Sequence, residues 1–239
     1  MSEFALRFAQ VIKRYAGVPV VDEFSLEVRR GEFFALVGVN GAGKTTLLKC
    51  LLDFCDTDGG RIEIFGASHA TTAARARIAY LPERFNPPFY LTGRDFLRYM
   101  LGLYRARYDE AEVARVFDAL DLAPAALDRP ARSYSKGMTQ KLGLAACLLS
   151  GKDVYVLDEP TGGLDPKARA LLKRELVALH RSGRTLFFTS HALADVADLC
   201  DRLAVVHAGR LRFAGTPGEL TRRTGTASLE QAFLAAIAD

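Results

Sequence analysis

No two cysteines stand in CxxC spacing, no apolar run approaches the thickness of a bilayer, and neither sign of charge is in strong excess. Each absence closes a class of function. Cys50, Cys55, Cys147 and Cys200 each lie in or beside an apolar helical stretch, where buried free thiols belong, so neither a disulfide framework nor a cysteine metal site is expected. The longest apolar stretch, residues 142–149, is far shorter than the roughly 18 residues a membrane-crossing helix requires. The opening MSEFALRFAQ lacks the architecture of a secretory signal, so a soluble, cytoplasmic chain is expected. The 32 Lys and Arg against 28 Asp and Glu leave a net charge of +4 and a pI near 8.9. That balance tolerates an anionic ligand or membrane surface and is too mild to point to nucleic acid. There is no internal repeat, low-complexity tract or heptad pattern.

What is present is a globular balance, 239 residues of which 49% are hydrophobic and 25% charged, enough for one large domain or two small lobes. Apolar residues alternate over residues 4–8 and again at Phe24, Leu26 and Val28, which predicts strands with one buried face. Residues 33–37 are continuously apolar, as in a strand buried on both faces, and residues 44–53 then place Leu47, Leu48, Leu51 and Leu52 at helical spacing. Strands are predicted at 61–65 and 78–81. Helices follow at 92–104, 109–120 and 135–149, forming an all-helical insert. Short buried strands return at 154–157 and 186–189, with a crossover helix at 166–180 suited to a parallel pair. A strand pair at 202–206 and 211–213 turns at Ala208 and Gly209, and a short helix is predicted near 228–237.

GVNGAGKTT, residues 38–46, sits between the strand at 33–37 and the helix that follows, the context that gives G-x-x-x-x-G-K-[ST] its meaning. Gly38, Gly41 and Gly43, with Asn40, let backbone amides turn inward around a phosphate chain. The helix starting at Lys44, Thr45 and Thr46 aims its positive end at the same anion. Lys44 then bridges the β and γ phosphates and the Thr45 hydroxyl ligates Mg²⁺. The motif specifies a nucleoside triphosphate and no more.

In VYVLDEP, residues 154–160, Asp158 and Glu159 end a buried strand, where ligands collect on open α/β sheets. Asp158 can hold Mg²⁺ through water, while Glu159, on the other side of the strand direction, can act as general base on an attacking water. Further upstream, Ser135 is a good cap for the helix that buries Leu142, Ala145, Ala146 and Leu149, and its exposed start is a second anion site.

With these motifs in this order, residues 3–222 resemble the ATP-binding subunits of ABC transporters. The family signature LSGGQ corresponds here to Tyr134, Ser135, Lys136, Gly137 and Met138, and the variant YSKGM resembles the subgroup serving ABC-2-type membrane subunits. The resemblance implies that Tyr15 stacks on adenine, that Asp165 in GGLDP acts across a dimer interface, and that His191 contacts the γ phosphate and orients Glu159. It implies an α/β fold, a P-loop NTPase (RecA-like) core with an N-terminal antiparallel β subdomain and an all-helical insert carrying the signature. The implied ATP-binding domain covers residues 1–222, its core lobe at 1–84 and 151–222 and its helical subdomain at 85–150, with a helical tail at 223–239.

The resemblance also implies ATP and Mg²⁺ as cofactors and transport-coupled hydrolysis. Its implied partners are a second ATP-binding subunit, as homodimer or heterodimer, and an integral permease of ABC-2 type that holds the chain at the inner face of the cell membrane. Ser135 and Gly137 of one subunit then face the nucleotide of the other, and no nucleic acid is expected. Residues 83–95 are the expected handle for the membrane partner, with Phe85, Phe89 and Tyr90, stiffened by Pro87 and Pro88, expected to grip a short helix of it. Two positions depart from the family pattern: Glu83 replaces a frequent Gln and puts a carboxylate at the metal site, and Val39 replaces a frequent proline. The competing readings are a soluble ATPase of this type acting on nucleic acid or ribosomes, and a nucleotide-responsive module without turnover.

Overall fold

The computed structural model describes residues 2–238. The chain opens with two long antiparallel strands, β1 (Phe4–Tyr15) and β2 (Val18–Arg29). The buried β3 (Phe33–Val37) leads through the glycine loop into α1 (Lys44–Leu51), followed by β4 (Gly59–Ile64), β5 (Ala67–Ser68), α2 (Thr72–Arg75) and β6 (Ile78–Leu81). The insert comprises α3 (Gly93–Tyr104), α4 (Glu110–Ala119), two 3₁₀ turns and α5 (Lys136–Leu148). Thr92, Asp109 and Ser135 are the side-chain caps of its three helices. The chain returns through β7 (Val154–Asp158), α6 (Pro166–Arg181), β8 (Thr185–Ser190), α7 (Leu193–Leu199) and the hairpin β9 (Arg202–His207) and β10 (Arg210–Gly215). It ends with α8 (Pro217–Thr224) and α9 (Leu229–Ala238).

The strands form two sheets, one in the order β2-β1-β4-β5 and the other in the order β10-β9-β3-β8-β7-β6. The first is antiparallel; the second is parallel except for its β9–β10 edge. The turn at Ala208 and Gly209 has φ of 48° and 76°, the positive pair that a tight two-residue hairpin demands.

The continuous apolar run of β3 is explained by burial on both faces. Phe33, Ala35 and Val37 join the core shared with the helical insert and α6, while Phe34 and Leu36 join the core shared with the antiparallel sheet and α1. Both Phe33 and Phe34 are fully buried, and each such side chain contributes about 1.5–3 kcal/mol through apolar burial. The same alternation in β7 sends Tyr155 and Leu157 one way and Val154 and Val156 the other. This two-sided clamp fixes the ends of β3, β7 and β8, from which the site residues project.

Position 222, the sequence boundary between domain and tail, falls inside α8, and α9 places Leu229 and Ala232 in the same core as the insert. All four cysteines are free; Cys50 and Cys147 are buried, and Cys55 and Cys200 are partly so. Among the described residues no helix is long and apolar enough to cross a membrane.

Candidate functional site

The glycine loop is held open by contacts only glycine tolerates. A Cβ on Gly38 would stand 2.5 Å from the Val206 carbonyl oxygen, and one on Gly43 would stand 2.6 Å from that of Val20. Gly43 also has φ of 104° and caps α1 with no side-chain hydrogen bond, so the first-turn amides of α1 are left for an anion. Lys44 is 8% exposed and folds back to donate to the carbonyls of Gly38 at 2.7 Å and Val39 at 3.2 Å. Burial lowers the pKa of its ammonium, and the carboxylates of Glu159, Asp158 and Glu83 pull it back only in part.

Parallel pairing of β7 and β8 sets Asp158 opposite Thr189. Thr189 donates to Asp158 Oδ1 at 2.5 Å and accepts the Glu159 N–H at 3.0 Å. Glu159 has φ of 49°, a left-handed conformation rare for a side-chain-bearing residue, and it turns the chain out of the strand. Its Oε2 reaches His191 Nδ1 at 2.9 Å, one residue beyond the end of β8. Asp158 is 2% exposed; burial first, then the charges of Glu83 and Glu159, raise its pKa against the opposing Thr189 hydrogen bond and Lys44.

The glycine loop and the acidic pair open onto one cleft of about 1170 Å³. Asn40, Gly41, Gly43, Lys44, Thr45, Thr46, Glu83, Asp158, Glu159 and His191, all singled out from the sequence, are brought together there. Thr45, Asp158 and Glu83 supply only oxygen donors, a hard set suited to Mg²⁺. No cluster of three or more His, Cys, Asp or Glu able to hold a metal is found among the described residues.

A family model described as "ABC transporter" matches residues 21–162 of this chain. The chain belongs to the ABC transporter family. It is 39% identical over 228 residues to the Nod factor export ATP-binding protein I of Burkholderia orbicola, covering 92% of this chain and 73% of that one. An ABC transporter ATP-binding protein of Synechocystis sp. is 40% identical over 201 residues, 82% of this chain; the match spans only 56% of that relative's length. A solved ATP-binding subunit of an ABC transporter superposes with a TM-score of 0.89 at 30% identity, covering 97% of this chain and 99% of the other. The family's fold, a P-loop core with its helical insert, is thus the fold of this chain.

Of the other expected ABC family positions, Tyr134 and Lys136 of the signature stretch also line this cleft, whereas Gly38, Tyr15, Ser135, Gly137 and Asp165 do not. Gly38 stands behind the loop as acceptor for Lys44. Tyr15 is 47% exposed, its hydroxyl 3.9 Å from Cys55 Sγ and the Lys13 ammonium 5.5 Å from its ring centre, while Val20 of β2 lines the cleft. Ser135 and Asp165 are exposed caps, accepting from the amides of Met138 and Ala168. Gly137 has open space beside it.

The expected aromatic handle divides. Phe85 packs edge-on against Phe96, 5.4 Å between ring centres, beside the core, so it is not part of an exposed grip; Phe89 and Tyr90 are 65% and 68% exposed and packed edge-on to each other.

Sequence reasoning missed Thr189, Gln140 and Asp195. Thr189 is recognisable only through strand register. Gln140 is buried in the cleft wall with its Nε2 unpartnered. Asp195, 1% exposed, receives Arg169 at 2.6 Å, Lys173 at 2.8 Å and the Thr161 hydroxyl at 3.0 Å, tying α7 to α6 and to the loop after the acidic pair.

Proposed function

We propose that this chain is the ATP-binding and ATP-hydrolysing subunit of an ABC transporter, and that closure of two such subunits around ATP drives a separate membrane subunit in the exporting direction. The observation that carries this reading is the convergence of the Lys44 loop and the Glu159–His191 pair, 2.9 Å apart, in one cleft. The first-turn amides of α1 and the Lys44 ammonium bind and orient the phosphates. Glu159 takes the proton from a water whose oxygen attacks the γ phosphorus. The bond from that phosphorus to the β–γ bridging oxygen breaks, leaving ADP and phosphate. His191, held against Glu159, keeps the carboxylate aimed. Thr45, Asp158 and Glu83 would hold Mg²⁺, which when bound offsets charge on the phosphate oxygens.

The exposed caps Ser135 and Asp165 and the open face at Gly137 support the dimeric part of the proposal. Groups that do not reach their own cleft are free to meet the nucleotide of a second subunit. Hydrolysis divides the bridging charge, the pair separates, and the membrane subunit, of ABC-2 type, is released to its resting state. That subunit holds the chain at the inner face of the cell membrane. The export name of the Burkholderia relative supports the direction of transport. Phosphate release from purified chain with Mg-ATP tests the reading: turnover abolished by Lys44→Ala is expected, and equal release from both proteins would contradict it.

A further inference from the structure

The spacing of Cys50 and Cys55 has no reserved meaning, yet the fold brings their sulfurs to 3.7 Å. Cys50 lies on the last turn of α1 and is fully buried, whereas Cys55 lies in the segment that leaves that helix and is partly exposed. The turn between them is set by the backbone. Leu52 and Asp53 donate to the carbonyls of Leu48 and Cys50, Phe54 donates to that of Lys49 at 2.8 Å, and Asp53 has φ of 60°. Beyond Cys55, Asp58 donates its N–H to the Ile12 carbonyl and accepts the N–H of Arg14 on its carboxylate, which pins the segment to β1. Two thiols are thus held in contact by chain that is fixed on both sides, and the hydrolytic mechanism uses neither.

The surroundings distinguish the two members of the pair. Burial, with the hydrogen bond to Cys55 second, pushes the Cys50 thiol up to about 12, so at neutral pH it is a protonated thiol closed to outside reagents. Cys55 is the sulfur that a dissolved oxidant reaches. It also takes the one hydrogen bond found for the Tyr15 hydroxyl among the described residues, at 3.9 Å, and the Lys13 ammonium lies over the same ring. Tyr15 is the residue expected to stack on adenine, and α1 is the helix whose first turn carries Lys44 and Thr45. The thiol pair therefore sits at the far end of the phosphate-loop helix and touches the residue expected on the adenine side.

We propose that Cys50 and Cys55 form a reversible disulfide site that lowers nucleotide affinity when closed. The proposal rests on the nucleotide reading given above. The oxidant is a small-molecule disulfide such as glutathione disulfide. The Cys55 thiolate attacks one of its sulfurs and releases the first thiol; Cys50 then gives up its proton, attacks the Cys55 sulfur of the mixed disulfide and expels the second. The S–H bonds of the pair are replaced by one S–S bond, two electrons pass to the oxidant, and the two protons end on the released thiols. Closure brings the sulfurs from 3.7 Å to bonding distance, drawing Cys55 toward α1 and away from the Tyr15 hydroxyl. Tyr15 loses the contact that holds its ring, and ordering that ring again on association costs affinity.

The test treats the full chain with glutathione disulfide or with dithiothreitol, maps its peptides by mass spectrometry without reduction, and titrates it with a fluorescent ATP analogue and Mg²⁺. The oxidised chain should carry one Cys50–Cys55 disulfide and bind the analogue at least about threefold more weakly, with dithiothreitol restoring the affinity. By linkage, saturating nucleotide should shift the pair toward the dithiol by the same factor. Cys55→Ser should bind equally well with and without oxidant, and Cys50→Ser should gather glutathione on Cys55 and form no disulfide. Glutathione on Cys55 of the parent with no disulfide, or a disulfide with unchanged affinity, overturns the proposal. If the reduced parent binds the analogue and Lys44→Ala does not, the nucleotide reading stands whichever way oxidation turns out; if neither binds, that reading falls and takes the proposal with it.

Discussion

The hydroxyl of Thr189 joins the two acidic residues of the site, donating to Asp158 Oδ1 at 2.5 Å while accepting the backbone N–H of Glu159 at 3.0 Å. One side chain thereby fixes both the buried carboxylate and the left-handed turn that aims Glu159 at His191. Thr189→Val keeps the shape and removes both bonds, leaving a buried carboxylate and amide short of partners. We expect a stability loss of about 1–3 kcal/mol and a fall in kcat larger than any change in KM. Thr189→Ser should recover most of both. Chemical denaturation and steady-state phosphate release read the two effects; unchanged kcat in the valine variant would contradict the positioning role.

Asp195 makes a second, acid-sensitive brace. Burial disfavours its charge, but hydrogen bonds from Arg169, Lys173 and Thr161 outweigh burial and hold its pKa below the ordinary 3.8. A carboxylate whose pKa is lowered by folding contributes stability above its unfolded pKa and loses it as pH falls through the folded value. Asp195→Asn should cost about 2–3 kcal/mol at pH 7, with partial exposure of the two cations keeping the loss modest. Its penalty should shrink below pH 4. Urea melts of both proteins at pH 7 and pH 3 check this, and an equal penalty at both would contradict it.

Phe89 and Tyr90 are exposed on a segment tied down by backbone bonds from Ala131 to Leu91 and from Arg132 to Phe89. Their rings are therefore presented on a fixed support. Replacing both with serine should uncouple transport while phosphate release by the isolated chain stays within about twofold, since surface changes distant from the chemistry have small effects. Transport at the parental rate in the double variant would contradict the expected contact of Phe89 and Tyr90 with the membrane subunit.

The sequence made the chemistry plainer than the scaffold around it. Residues 38–46 and 154–160 were legible because phosphate binding and metal-side acids restrict residue type and spacing severely. Strands β1 and β2 were legible only in part. Register shifts, with Gln10 and Glu23 at φ of 51° and 50°, interrupt the alternation that marks a half-buried strand, so residues 4–8 and 24–28 stand for strands of 12 residues each. Helix α8 buries only Leu220 and so has no apolar periodicity, although Thr216 and Glu219 form a readable capping box. Thr189 and Lys136 reach the site through strand register and through the approach of the insert to Gly163. Neither relation has a sequence spacing of its own.

The central claim, that ATP holds two copies of this chain together until Glu159 promotes its cleavage, is tested most directly with Glu159→Gln. Size-exclusion chromatography in saturating Mg-ATP should show this variant as a stable nucleotide-bound dimer with phosphate release stalled, because the cradle around Lys44 is intact and the base is gone. A variant that elutes as a monomer under those conditions and releases phosphate at the parental rate would contradict the account.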